Sequence, residues 1–148
     1  TILDLNSVVL FADREGRMGD DLQRNYLVVG DAVLSGEKNG PMEQRPKAAG
    51  LILAGRNPVV LDCVAAALMG FDPHRMPQIQ RGFQNVFFPL CPLEPMDIEV
   101  LCEGDPEELC PEPFVPPHGW DDFPAPAGTG LLERIAGAPE RIGAESGR

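Results

Sequence analysis

The chain has 148 residues, is 43% hydrophobic and carries a formal charge of −11, which suits one domain with a real apolar core. The charge is uneven: between Arg81 and Arg134 there is no Lys or Arg but eleven Asp and Glu, while the rest balances twelve acids against twelve bases. That acidic segment repels nucleic acid and anionic lipid, so neither is expected as a partner, and no apolar run reaches the length of a membrane span.

In chain order, residues 1–15 (TILDLNSVVLFADRE) read as a largely buried helix, with Thr1 and Asp4 as a capping pair and Gly16 as the stop. Entering a helix directly at Thr1 points to a piece whose upstream half is its partner. Residues 17–25 are polar and form a surface connection. YLVV then reads as a buried strand that Asp31 interrupts before AVL resumes. A buried carboxylate there needs a hydrogen bond, a counter-charge or a cation; at a strand end it caps a turn instead.

The Gly- and Pro-dense stretch SGEKNGP reads as a loop, without the spacing of a nucleotide-binding phosphate loop. AAGLILAG is an unbroken apolar run, the mark of a strand covered on both faces within a parallel sheet. Asn57 as N-cap, Pro58 at the first helical position and Gly70 beyond the end then predict a helix over residues 58–69. Asp62 falls on its smaller apolar face with Ala65, Ala66 and Met69, so partial enclosure is expected.

FDPHRMPQIQRGF predicts a turn and a short helix, and VFFPL and DIEVLC predict short strands or extended segments. Ten of the sixteen prolines lie between Pro89 and Pro126, mixed with acids, which predicts an extended arm. FVPPHGW within it holds the one Trp and is expected to dock back on the body. The fold class is therefore α/β, a mostly parallel sheet fragment with flanking helices and an extended Pro-rich acidic arm. Its parts are a body over residues 1–102, the arm over 103–128, and a short helix with a frayed tail over 129–148.

The four cysteines, Cys63, Cys91, Cys102 and Cys110, have no CxxC or neighbouring His spacing, so no iron–sulfur or zinc ligand pattern is present. They read as scattered thiols of a reducing, cytoplasmic compartment, with a Cys102–Cys110 or Cys91–Cys102 disulfide as the alternative.

The blocks DLN, VVGDAVLSGEKNGP, GLILAGRNPVVLDCVAAALMGFDP and FVPPHGW resemble the C-terminal half of the family called domain of unknown function 362. The resemblance spans roughly residues 2–83 and 114–120, in the same order. The family pattern resembles D-G-hydrophobic-x-x-G-E-G-N-G-P followed by D-P-hydrophobic-x-x-D-A-hydrophobic-A. Asp31, Gly36, Glu37, Asn39, Gly40, Pro41, Pro58 and Asp62 match it, whereas Ala32 and Lys38 stand where it has glycine and Asn57 where it has an acid. Lys38 thereby sets a cation beside Glu37 that competes for the carboxylate. Some relatives carry a ferredoxin-like iron–sulfur module, whose cysteine spacings are absent here.

The leading functional expectation is a small-molecule or divalent-metal binding enzyme domain. Its ligand site would be built from Asp31, Glu37, Asn39, Gly40, Arg56, Asn57 and Asp62, on strand ends where open α/β sheets bind ligands. Two ionised carboxylates about 4 Å apart repel by roughly 4 kcal/mol at an effective dielectric near 20. If Asp31, Glu37 and Asp62 converge, a cation or a shared proton must hold them, and oxygen donors suit Mg²⁺, Mn²⁺ or Ca²⁺. The alternative is a non-catalytic binding or assembly module that uses the acidic arm. A phosphate or nucleotide site at the Asn57–Pro58 helix start, using Arg56, is a third expectation.

Overall fold

The structure, a computed structural model, describes residues 2–84, 87–109 and 112–137. Helix α1 (Ile2–Phe11) precedes four strands, β1 (Val28–Ala32), β2 (Ser35–Asn39), β3 (Glu43–Lys47) and β4 (Leu51–Gly55). Helices α2 (Pro58–Leu68), α3 (Pro77–Gln84) and α4 (Leu131–Ala136) follow, with 3₁₀ turns at Pro73–Arg75, Pro95–Asp97 and Pro106–Leu109. The chain is a mixed α/β fold, but its sheets are antiparallel, which corrects the mostly parallel arrangement expected.

β1 pairs with β4 and β2 with β3, both antiparallel. The two pairs are one long ribbon folded back on itself. Two residues (33–34) connect β1 to β2, but three (48–50) connect β3 to β4, so the register slips by one. This is a bulge. Gly50 takes the left-handed backbone it requires (φ +69°), and its N–H donates to the Val33 carbonyl at 3.1 Å. The expected loop SGEKN is therefore a strand, and the turn lies beyond it between Asn39 and Glu43.

Helix α2 packs on one face of β1–β4, where Leu51 and Leu53 meet its core residues. Cys63 and Ala67 on α2 are fully buried (0% exposed), as is Leu131 of α4. The helix forms where its local signals place it. The Asn57 side chain accepts from the Val59 and Val60 N–H groups at 2.9 and 3.2 Å, Pro58 needs no donor, and Gly70 adopts φ +87° past the Met69 cap. A second apolar cluster joins Leu10 and Phe11 of α1 to Val59, Leu90 and Cys91.

The other face of β1–β4 is uncovered among the described residues. Burial along β4 alternates, and Val29 and Ile52 are 61% and 70% exposed, so the apolar run is not covered on both faces as expected. Helix α1 is likewise buried on one side only, with Ile2 and Leu5 about 60% exposed: 59% and 61%. Its far end is capped by Arg24, whose Nη1 donates to the Val9 and Ala12 carbonyls.

The Pro-rich segment is extended but packed. Phe114 is buried; the Phe114 N–H donates to Met69 O and the Asp72 N–H to Phe123 O. Trp120 stacks edge-on to Phe71 (6.0 Å) and against Phe123 (5.0 Å). The Glu107 carboxylate accepts from Leu131 N–H and Leu132 N–H, capping α4 from another part of the arm. No strand forms over DIEVLC or over the described part of VFFPL. Cys63, Cys91 and Cys102 are free thiols, so the Cys91–Cys102 disulfide does not form. Thr1, Cys110 and the tail over 138–148, with the cap, pairing and fraying expected of them, lie outside the described residues.

Candidate functional site

The ribbon sets Glu37 directly opposite Arg45, and this register makes the site. The Glu37 side chain is 1% exposed, and its Oε1 accepts from Arg45 Nε at 2.6 Å and from Arg45 Nη2. Its Oε2 accepts from the Val115 N–H at 3.0 Å and lies 3.5 Å from Lys47 Nζ. The Val115 amide, then Arg45 and Lys47, hold this carboxyl below the usual range, against the opposing pull of desolvation. Glu37 is a buried, ionised and fully engaged anion.

Around it, a clasp closes on residues 113–118. Lys38 N–H donates to Val115 O at 3.0 Å, His118 N–H to Asn39 Oδ1 at 2.8 Å, and Lys47 Nζ to Pro113 O at 3.0 Å. Lys47 Nζ also sits 4.9 Å from the Phe114 ring centroid. Two separate sequence blocks, SGEKNGP and FVPPHGW, are thus two halves of one contact. Gly40 belongs to the turn that follows Asn39, joined to Pro41 by a cis bond.

Lys38 has φ +69°, the one described non-glycine residue in that region. The pattern the chain resembles has glycine at this place, and an L side chain is strained there by about 1 kcal/mol. Lys38→Gly is accordingly expected to leave urea-unfolding stability unchanged or raised by up to about 1 kcal/mol, because relief of strain offsets the greater freedom of the unfolded chain. A loss of more than about 1 kcal/mol would contradict backbone strain at Lys38.

The other candidates lie elsewhere. Asp31 is exposed opposite Ile52, and its Oδ1 accepts from Val33 N–H at 3.0 Å, closing the turn at the strand end. Asp62 is on an exposed position of α2 with no hydrogen-bond or ion-pair partner among the described residues, and desolvation raises its carboxyl. The three carboxylates are not brought together: among the described residues no group of three His, Cys, Asp or Glu side chains is placed to hold a metal ion. With both Glu37 oxygens engaged, this set does not fit Mg²⁺, Mn²⁺ or Ca²⁺.

Arg56 and Asn57 line a separate cleft of about 880 Å³, with Tyr26 and Leu90 among its walls. Asn57 Nδ2 donates to Leu90 O at 2.6 Å while its Oδ1 takes the first free N–H groups of α2. The helix start is therefore closed by its own cap, and the amides expected to receive a phosphate are occupied. Sequence reasoning missed Arg45, Lys47 and Val115. The signal for the first two was the hairpin register across the Asn39–Glu43 turn.

No described helix is long and apolar enough to cross a membrane. The family model described as Domain of unknown function (DUF362) matches residues 1–67. Residues 68–83 and FVPPHGW lie beyond that match. No curated protein and no solved structure gives a significant match to the chain.

Proposed function

Taking residues 1–67 as a segment that belongs to the DUF362 family, we propose that this chain is a non-catalytic assembly module whose bare sheet face receives another polypeptide. We assign that polypeptide to the upstream half of the same domain. The observation that supports this is the mismatch between pattern and burial on β1–β4. The uncovered face carries Val29, Ile52 and Ala54 beside the single carboxylate Asp31, only the face under α2 is covered, and Val29 and Ile52 stand 61% and 70% exposed. A sheet needs a packed layer on each apolar face, and a two-stranded ribbon is marginal alone. Both β1 and β4 also keep an outer edge with no strand beside it among the described residues. Ile2, Leu5 and Val8 on α1 are exposed as well.

In this reading Glu37 and Asn39 serve the fold, and the acidic arm is consumed by wrapping the body. Fusing the upstream half to this chain is expected to slow amide exchange in β1 and to reduce binding of a dye specific for exposed apolar surface. Ile52→Lys in the longer chain should cancel both changes. Unprotected β1 amides and undiminished dye binding in the fused protein would remove this reading.

A further inference from the structure

The cleft beside α2 holds an unusual set of uncommitted charges. Arg56 is exposed at its edge with no hydrogen bond or ion pair among the described residues. Arg24, which also lines the cleft, spends Nη1 on the Val9 and Ala12 carbonyls and has no carboxylate partner among the described residues. Asp20 and Asp21 line the cleft too, and neither carboxylate has a partner among the described residues. The remaining wall includes Leu22, Leu27 and Pro92. Its volume of about 880 Å³ is that of a small-molecule site.

We propose that this cleft binds a small organic monocarboxylate, its carboxylate on Arg56 and its apolar body along the Leu and Pro wall. Three observations choose this class. The two guanidiniums are formally balanced by Asp20 and Asp21, so the cleft offers no net positive charge to draw a polyanion. The α2 amides that would cradle a phosphate are taken by Asn57. A planar guanidinium pairs in bidentate fashion with a planar carboxylate. The cleft shares no lining residue with Val29 and Ile52 of the sheet face assigned to assembly, so either proposal can fail alone.

Calorimetric titration of the full chain with hexanoate, hexylamine and ATP tests this, with Arg56→Gln and the double variant Asp20→Asn, Asp21→Asn. Hexanoate is expected to bind saturably in the wild type and about tenfold more weakly in Arg56→Gln. The double Asn variant should keep hexanoate and newly accept ATP, while hexylamine binds to none of these proteins. Arg56 is exposed, so its replacement leaves folding unaffected, as a thermal melt verifies. Absence of saturable hexanoate binding, equal affinity in Arg56→Gln, or ATP binding to the wild type as tight as hexanoate would overturn the proposal.

Discussion

Glu37→Gln is expected to lower the melting temperature by roughly 5 °C or more near neutral pH, the scale of losing a packed ionic contact in a domain of this size. The amide side chain can still accept from Val115 N–H, but it no longer compensates Arg45 and Lys47. Arg45 is 60% exposed and falls back on water, whereas Lys47 is 17% exposed and keeps a poorly solvated charge. The effect has a signature in pH. The Glu37 carboxyl is held below its unfolded value of about 4.5, first by the Val115 amide and then by Arg45 and Lys47. A depressed acid contributes its full stabilisation above the unfolded value and loses it as pH falls through the lower folded value. The gap in melting temperature between wild type and Glu37→Gln should therefore be constant near neutrality and close below about pH 4.5. Asp13 is also depressed, but it is common to both proteins and cancels in the difference. A gap that persists unchanged into strong acid would contradict the ionic origin.

Leu131→Ala is expected to destabilise the protein by about 3 kcal/mol, read from the urea midpoint, since truncation of a buried Leu leaves a cavity. Leu131 is 0% exposed in the main core with Ile135 at 2%. Its helix is further tied down by Glu107 at its start and by Arg134 Nη1, which donates to Ala67 O at 2.8 Å. The α4 segment is thus part of the same cooperative unit as α2. A cost below about 1 kcal/mol would show that it unfolds separately.

What was legible in the sequence is what local chemistry decides. Helix α2 could be placed from Asn57, Pro58 and Gly70 because caps act within a turn of the residue that carries them. The strands at Val28 and Leu51 were visible as apolar runs, but such a run does not say whether its partner is parallel or antiparallel. The bulge at residues 48–50 and the pairing of β1 with β4 depend on contacts some twenty residues apart. SGEKN was mistaken for a loop because glycine density marks turns, while here the turn sits only at its end. The site suffered most. Glu37 and Asn39 were found as polar residues in an apolar setting, yet their partners are set by register (Arg45, Lys47) or by a distant segment (Val115, His118). Asp31 and Asp62 looked like its companions only because a parallel sheet would have brought the strand ends together. The apolar pattern of AAGLILAG departs from the structure at Ile52, which is 70% exposed and is the residue on which the proposed assembly face rests.

The central claim is that Glu37 clasps residues 113–118 and does not serve as a metal ligand. Amide hydrogen exchange of Val115 and His118 tests it most directly, in wild type and Glu37→Gln, with and without added Mn²⁺ or Ca²⁺. The account predicts slow exchange at both amides in the wild type, faster exchange at both in the variant, and no change on adding either ion. Equal protection in the two proteins, together with an ion-induced slowing that Glu37→Gln abolishes, would contradict it and return Glu37 to a metal site.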